Sequence, residues 1–138
     1  MNEIRVLLVG DMDSFRESTI CYLKREKVSV EKFCGGEKLL AELPKFVSPI
    51  EQCCVVIDLR MSGMTGLDLM WELCQRRHRF PVVLMTGQGD VAMAVEAMRR
   101  GAMNVVEKPF CDEMFLETIK ASVISPSSGL KDIPASME

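Results

Sequence analysis

Cys53-Cys54-Val55-Val56-Ile57-Asp58 is the stretch from which the fold follows. A short apolar run rich in β-branched residues and bounded by loop signals reads as a strand buried on both faces. Such strands belong to parallel sheets covered by helices. The run closes on a carboxylate. An aspartate ending a buried strand is partly stripped of water, which costs free energy unless a cation, a metal or a reaction needs it there. The plainer reading is that Asp58 only starts the loop Leu59-Arg60-Met61-Ser62-Gly63. What stands at the ends of the other strands decides between the two.

Outward from this run, strand and helix signals alternate. Ile4 to Val9 is an apolar strand. Asp13 or Ser14 then caps a helix reaching about Lys27, and Ser14-Phe15-Arg16-Glu17 has capping-box form. Val28 to Phe33 alternates apolar and polar residues, as a more exposed strand does. Gly35-Gly36 leads into a short helix over Glu37 to Leu43, ended near Pro44. Beyond Asp58, a helix from Leu67 to about Arg77 sets Leu67, Met70, Trp71 and Cys74 on one face. Pro81 to Thr86 is a strand, and Asp90 caps a helix that ends at Gly101. Asn104 to Glu107 is a brief strand, and Cys111 to about Val123 a last helix. Alternation of this kind predicts an α/β domain over residues 1–124, a parallel sheet with helices on both faces and right-handed crossovers. No internal repeat interrupts it. From Ser125 to Glu138 the pattern dissolves into Ser125-Pro126-Ser127-Ser128-Gly129 and Pro134-Ala135-Ser136, the composition of a tail or interdomain linker.

Composition narrows the function classes. The chain has 138 residues, 48% apolar and 27% charged, enough for one domain with a full core. No apolar run has the length of a membrane span, and Met1-Asn2-Glu3-Ile4-Arg5 lacks signal-peptide form, so a cytoplasmic location is expected. A net charge of −3 without a Lys/Arg stripe argues against direct nucleic-acid binding by this segment. Cysteines stand at 21, 34, 53, 54, 74 and 111 with no C-x-x-C pair, and His78 is the single histidine. That argues against a zinc site. Adjacent Cys53 and Cys54 would point to opposite faces of a strand, and reduced core thiols are expected there.

In an open parallel sheet, ligands bind beyond the carboxyl ends of the strands, where strand order reverses. The first strand ends in Gly10-Asp11-Met12-Asp13, the third in Asp58, the fourth in Thr86-Gly87 and the fifth in Lys108-Pro109. Neighbouring carboxylates repel, and a divalent cation removes the cost of ionising both. Oxygen-only ligands point to Mg²⁺ or a similar hard ion completed by water. Lysine brings a mobile positive charge for a phosphoryl oxygen. The Thr86 hydroxyl and Gly87 N–H are further donors. Carboxylate, hard cation and lysine around one point meet the needs of phosphoryl transfer, with Asp58 as the nucleophile that forms an acyl phosphate. Each residue also has a bland use: Asp13 as a helix cap, Thr86 as a strand former, Lys108 as a solvated lysine. Their arrival together at successive strand ends favours the chemical reading.

These residues resemble the receiver domain of two-component response regulators, and within it the FixJ-type branch. The resemblance spans about residues 3–124. It rests on Asp11, on Ile57-Asp58-Leu59-Arg60-Met61, on Thr86-Gly87-Gln88-Gly89-Asp90, on Ala94-Val95-Glu96-Ala97-Met98, on Gly101-Ala102 and on Glu107-Lys108-Pro109-Phe110. It implies a doubly wound (βα)₅ fold of the CheY/flavodoxin-like kind with strand order 2-1-3-4-5. Asp58 would accept a phosphoryl group from the phosphohistidine of a sensor histidine kinase, with no enzymatic turnover beyond self-dephosphorylation. Asp11, Asp58 and the Arg60 backbone carbonyl would bind Mg²⁺. Lys108, Thr86, Gly87 and the Arg60 loop would surround the phosphoryl oxygens. The Lys108-Pro109 bond would be cis. The output expected of such a switch is transcription, through a separate DNA-binding domain.

The chain departs from that family's pattern at three places. The family's first of two adjacent acids falls on Gly10, so weaker Mg²⁺ affinity is expected. Ser62 stands where a proline follows the methionine, loosening the loop with Gly63. Val105 occupies the usually aromatic switch position three before Lys108, so a switch at Thr86 must read out through the helix that begins at Asp90. That helix, with Val91, Ala92, Met93, Ala94, Val95, Ala97 and Met98, is more apolar than one buried stripe requires. Part of it is expected to form a dimer or partner face, the dimer being a homodimer through helix 4, strand 5 and helix 5. The departures also raise an alternative, a receiver-like protein-binding module that works without phosphorylation. A small aspartyl-phosphate hydrolase is disfavoured because Arg60 occupies the place of its second acid.

Overall fold

The computed structural model describes residues 4–11, 17–42, 52–59, 63–75, 80–87, 91–99, 102, 104–108 and 110–124. Strands β1 (Ile4–Val9), β2 (Val28–Phe33), β3 (Gln52–Asp58), β4 (Val82–Thr86) and β5 (Asn104–Glu107) alternate with helices α1 (Glu17–Arg25), α2 (Gly36–Glu42), α3 (Gly66–Gln75), α4 (Val91–Arg99) and α5 (Asp112–Ile124). The strands form one sheet in the order β2-β1-β3-β4-β5. Every pairing is parallel, and β1 runs between β2 and β3, with Val9 beside both Phe33 and Ile57. The doubly wound fold expected from the sequence is therefore present. Expectations that fall on Asp13, Ser14, Pro44, Asp90, Gly101 and the 125–138 tail lie outside the described residues.

Alternation of side chains along each strand splits the core in two. Leu7, Val9, Val55, Ile57 and Leu84 face one side, under Leu39 and Leu40 of α2 and Leu69, Met70 and Leu73 of α3. Val6, Leu8, Val56, Val83 and Met85 face the other, under Ile20 and Leu23 of α1 and Phe115, Leu116 and Ile119 of α5. Cys53 and Cys54 fall into opposite halves, both buried and neither in a disulfide. Burial pushes the Cys54 thiol far above its ordinary range, so it stays protonated and unreactive.

Two details differ from the pattern read in the sequence. The first is the end of α1, which stops at Arg25 rather than near Lys27. Lys27 adopts a left-handed φ of 67°, and its N–H donates to the Lys24 carbonyl at 3.0 Å. Glycine normally marks such a terminus, and here a lysine takes its place. The second is the buried face of α3. Gly66, Leu69, Met70 and Leu73 face inward, while Trp71 is 52% exposed and Leu67 half-buried. Both stripes have helical spacing. Gly66 selects between them, because it lies so close to β3 that a Cβ there would stand 2.8 Å from Leu59 Cα.

Candidate functional site

The chain leaves β1 for β2 on one side and reaches β3, β4 and β5 on the other, so strand order reverses between β1 and β3. Register carries the candidate residues to the same edge. Asp58 pairs with Met85, and Thr86 pairs with Glu107, next to Lys108. Gly10 follows Val9, the partner of Ile57, so Asp11 emerges beside the end of β3.

Asp58 is only 5% exposed. The Lys108 ammonium Nζ donates to its Oδ2 at 3.0 Å across a sequence separation of 50. A hydrogen-bonded opposite charge is what a buried carboxylate requires. Lys108 is anchored at the backbone as well, its N–H donating to the Thr86 carbonyl at 2.7 Å. Thr86 itself is 4% exposed, and Gly87 next to it is half-buried. Asp11 is half-buried. Gly10, which stands at the first of the two acid positions that the resemblance implies, extends the ladder by donating its N–H to Phe33 O at 3.0 Å. Asp58, Thr86 and Lys108 thus lie together, with Asp11 just beyond the end of the adjoining strand β1. Arg60, Ser62, Asp13 and Pro109 lie outside the described residues.

The segment after Asp58 is held from three directions. Leu59 N–H donates to Met85 O at 2.9 Å, which carries the β3–β4 ladder past the aspartate. Gly66 N–H returns to Leu59 O at 3.1 Å. At the start of α3, Asp68 N–H donates to Thr65 Oγ1 at 3.1 Å and Thr65 N–H to Asp68 Oδ2 at 3.4 Å. This reciprocal pair is a capping box. Its signal, a threonine three residues before an acid, stands in the sequence but was overshadowed there by the Asp58 loop. Gly63, at φ 74°, makes the turn between. Val105 is half-buried on β5 beside Leu84 and packs against the same core half as Met93 of α4. On the outer side of α4, Val95 and Met98 are exposed.

Two carboxylates and water suit a hard cation. Mg²⁺ keeps several waters and uses one or two carboxylates rather than an all-protein cage. The oxygen-only donors Asp11 and Asp58 fit that habit, and the described residues hold no cluster of three or more acid, histidine or cysteine side chains that would favour a fuller cage.

Residues 6–120 match the model of the response regulator receiver domain. The transcriptional regulatory protein FixJ of Azorhizobium caulinodans is 36% identical over 118 residues, which are 86% of this chain and 54% of that protein. FixJ of Rhizobium meliloti is 35% identical over 120 residues, 87% of this chain and 57% of that protein. The chain thus spans about half the length of the curated relatives it matches. Among solved structures, that of FixJ-N superposes with a TM-score of 0.79 at 34% identity, covering 90% of this chain and 96% of its own. Full-length FixJ from B. japonicum gives a TM-score of 0.80 at 30% identity, covering 99% of this chain and 62% of its own.

Proposed function

Because the chain belongs to the response regulator receiver domain family, a family of signalling proteins rather than classical enzymes, we propose that Asp58 is its phosphoacceptor. The observation that carries this reading is the buried Asp58 carboxylate held by Lys108 Nζ at 3.0 Å, at the switch point of the sheet. A carboxylate oxygen of Asp58 attacks the phosphorus of a kinase phosphohistidine. The O–P bond forms as the P–N bond breaks, and the imidazole leaves. Lys108 moves with the charge from the carboxylate to a phosphoryl oxygen. The Thr86 hydroxyl and Gly87 N–H donate to the others, with Arg60 as a further expected contact. Because this chemistry is mostly positioning and charge neutralisation, the preset side chains supply the bulk of it. When bound, Mg²⁺ would be held by Asp11, Asp58 and the Arg60 carbonyl, and would supply the positive charge that offsets the carboxylates and the incoming phosphoryl group. Water returning to the acyl phosphate gives self-dephosphorylation. Intact mass after incubation with a small acyl-phosphate donor and Mg²⁺ tests the proposal: one phosphoryl adduct is expected. No adduct at any Mg²⁺ concentration would favour the phosphate-independent binding module, and unlimited donor turnover a hydrolase.

Gly10 weakens the metal side of this site. The Gly10→Asp variant is expected to bind Mg²⁺ about tenfold more tightly, the scale on which an outer-shell partner of a metal acts. Titration of both proteins by intrinsic fluorescence or calorimetry checks it. Equal affinities would show that Asp11 and Asp58 suffice.

The output side follows from α4. With valine at 105 there is no aromatic ring to turn inward, so the Thr86 change passes to α4 itself. Val95 at 51% and Met98 at 44% exposure stand one turn apart on that helix and support a homodimer through the α4–β5–α5 face. Light scattering of phosphorylated protein is expected to give a dimer, and Met98→Glu a monomer. A dimer that survives Met98→Glu would move the interface elsewhere. No helix among the described residues is long and apolar enough to cross a membrane. The full reading is a cytoplasmic receiver, served by a sensor histidine kinase and controlling transcription through a separate DNA-binding domain, with residues 125–138 as a tail or interdomain linker.

A further inference from the structure

One polar contact joins the two rims of the site from behind. Thr19 of α1 is 5% exposed, and its Oγ1 donates to Asp112 Oδ1 of α5 at 2.9 Å across a sequence separation of 93. Both helices lie on the same sheet face. In the chain, α1 follows the segment that begins at Asp11, and α5 follows the segment that begins at Lys108. The bond therefore spans from the metal side to the phosphoryl side.

The first turn of α5 is weakly capped. Its amide donor at Met114 is met by the Cys111 thiol, with N to Sγ at 3.4 Å. Sulfur is a weak acceptor, poorer than the hydroxyl or carboxylate oxygens that usually cap a helix. Asp112 is placed to act near the helix start, but its carboxylate is turned to Thr19 instead. Nearby, Phe110 packs its ring on buried Phe115 at 4.8 Å between centroids. The segment carrying Lys108 is thus gripped at three points: Lys108 N–H on Thr86 O, Phe110 on Phe115, and Asp112 on Thr19. Only the last reaches across to α1.

We propose that the Thr19–Asp112 hydrogen bond is a latch that sets the Lys108 segment against α1, making Thr19 and Asp112 positioning residues for phosphoryl transfer. The proposal rests on Asp58 being the phosphoacceptor. Its test compares Thr19→Val, which removes the hydroxyl at nearly constant shape, with Thr19→Ser, which keeps it. Ile20→Val is the control, because it loosens the same helix on the same core without touching a hydrogen bond.

Two readouts are taken on the full chain. The first is hydrogen exchange at the Lys108 amide, which is bonded to Thr86 O in wild type and needs no phosphorylation. Thr19→Val is expected to speed it about tenfold, the scale of one lost hydrogen bond. Thr19→Ser is expected to stay near wild type, and Ile20→Val to leave Lys108 no faster than its neighbours. The second is the rate of adduct formation from the small donor, expected to fall about fivefold to tenfold in Thr19→Val alone. Unchanged Lys108 exchange in Thr19→Val, or an equal change in Ile20→Val, overturns the latch. Absence of any adduct in wild type overturns the reading of Asp58 instead, and the exchange data still decide whether the latch holds Lys108.

Discussion

Asp58→Asn incubated with an acyl-phosphate donor and Mg²⁺ is expected to gain no phosphoryl mass, while wild type gains one group. The two side chains are close to isosteric, so the comparison isolates chemistry from shape. The Asn oxygen can still accept from Lys108 Nζ, as Asp58 Oδ2 does at 3.0 Å. What disappears is the negative charge and the nucleophilic oxygen, and an amide does not replace them as an attacking group. Folding should survive. Asp58 is 5% exposed, and trading a buried carboxylate for a neutral amide removes desolvation cost as well as ion-pair attraction. The stability change should stay within about 1 kcal/mol. Chelation of the metal from wild type should suppress the adduct in the same assay, because Asp11 and Asp58 then repel both each other and the donor. Adduct in Asp58→Asn equal to wild type would place the acceptor on another residue and end the proposed function.

Much of this site was legible because the physics that hides a parallel strand also exposes its end. Strands buried on both faces must be continuous apolar runs, and the first polar residue after each run marks the rim. For that reason β1 matches its expected bounds, Ile4–Val9, and the short edge strand β5 also falls where expected, at Asn104–Glu107. For the same reason the apolar runs alone set Asp58, Thr86 and Lys108 at neighbouring strand ends, as the register does. Helix ends and faces were less legible. Nothing local marks Lys27 as left-handed, since the residue is no glycine. The inner face of α3 depends on a backbone approach between Gly66 and Leu59, and composition does not reveal contact. The Thr19–Asp112 bond was invisible for a similar reason: neither residue forms a motif, and only the packing of α1 on α5 joins them. The outward Val95 and Met98 were foreshadowed by the apolar surplus of α4, because a helix on a sheet can bury only one stripe.

Gly66→Ala is expected to damage both folding and phosphorylation, and the reason lies in which atoms would have to move. A Cβ at Gly66 meets Leu59 Cα at 2.8 Å, Asp58 O at 3.1 Å and Leu59 O at 3.2 Å. All three are backbone atoms, so no side chain can swing aside. Leu59 is 1% exposed and tied to Met85 O, while the capping box of Thr65 and Asp68 fixes the start of α3. Alanine favours a helix over glycine by about 0.5–1 kcal/mol, but overpacking at a rigid contact costs about 1–3 kcal/mol. The net result is a less stable protein, read as a lower midpoint in denaturant. The displaced peptide is the one that follows Asp58, and a misplacement approaching 1 Å at a reacting centre slows transfer about a hundredfold. Adduct formation should therefore fall by about tenfold to a hundredfold at saturating Mg²⁺. Gly63→Ala provides the contrast. Gly63 has φ 74° but no atom within 4 Å of a Cβ, so alanine there brings backbone strain without contact. It should lose comparable stability and keep most of its rate. If both variants lost stability and neither lost rate, the Gly66–Leu59 contact would serve the fold alone, and the position of Asp58 would be set by the β3–β4 ladder without help from α3.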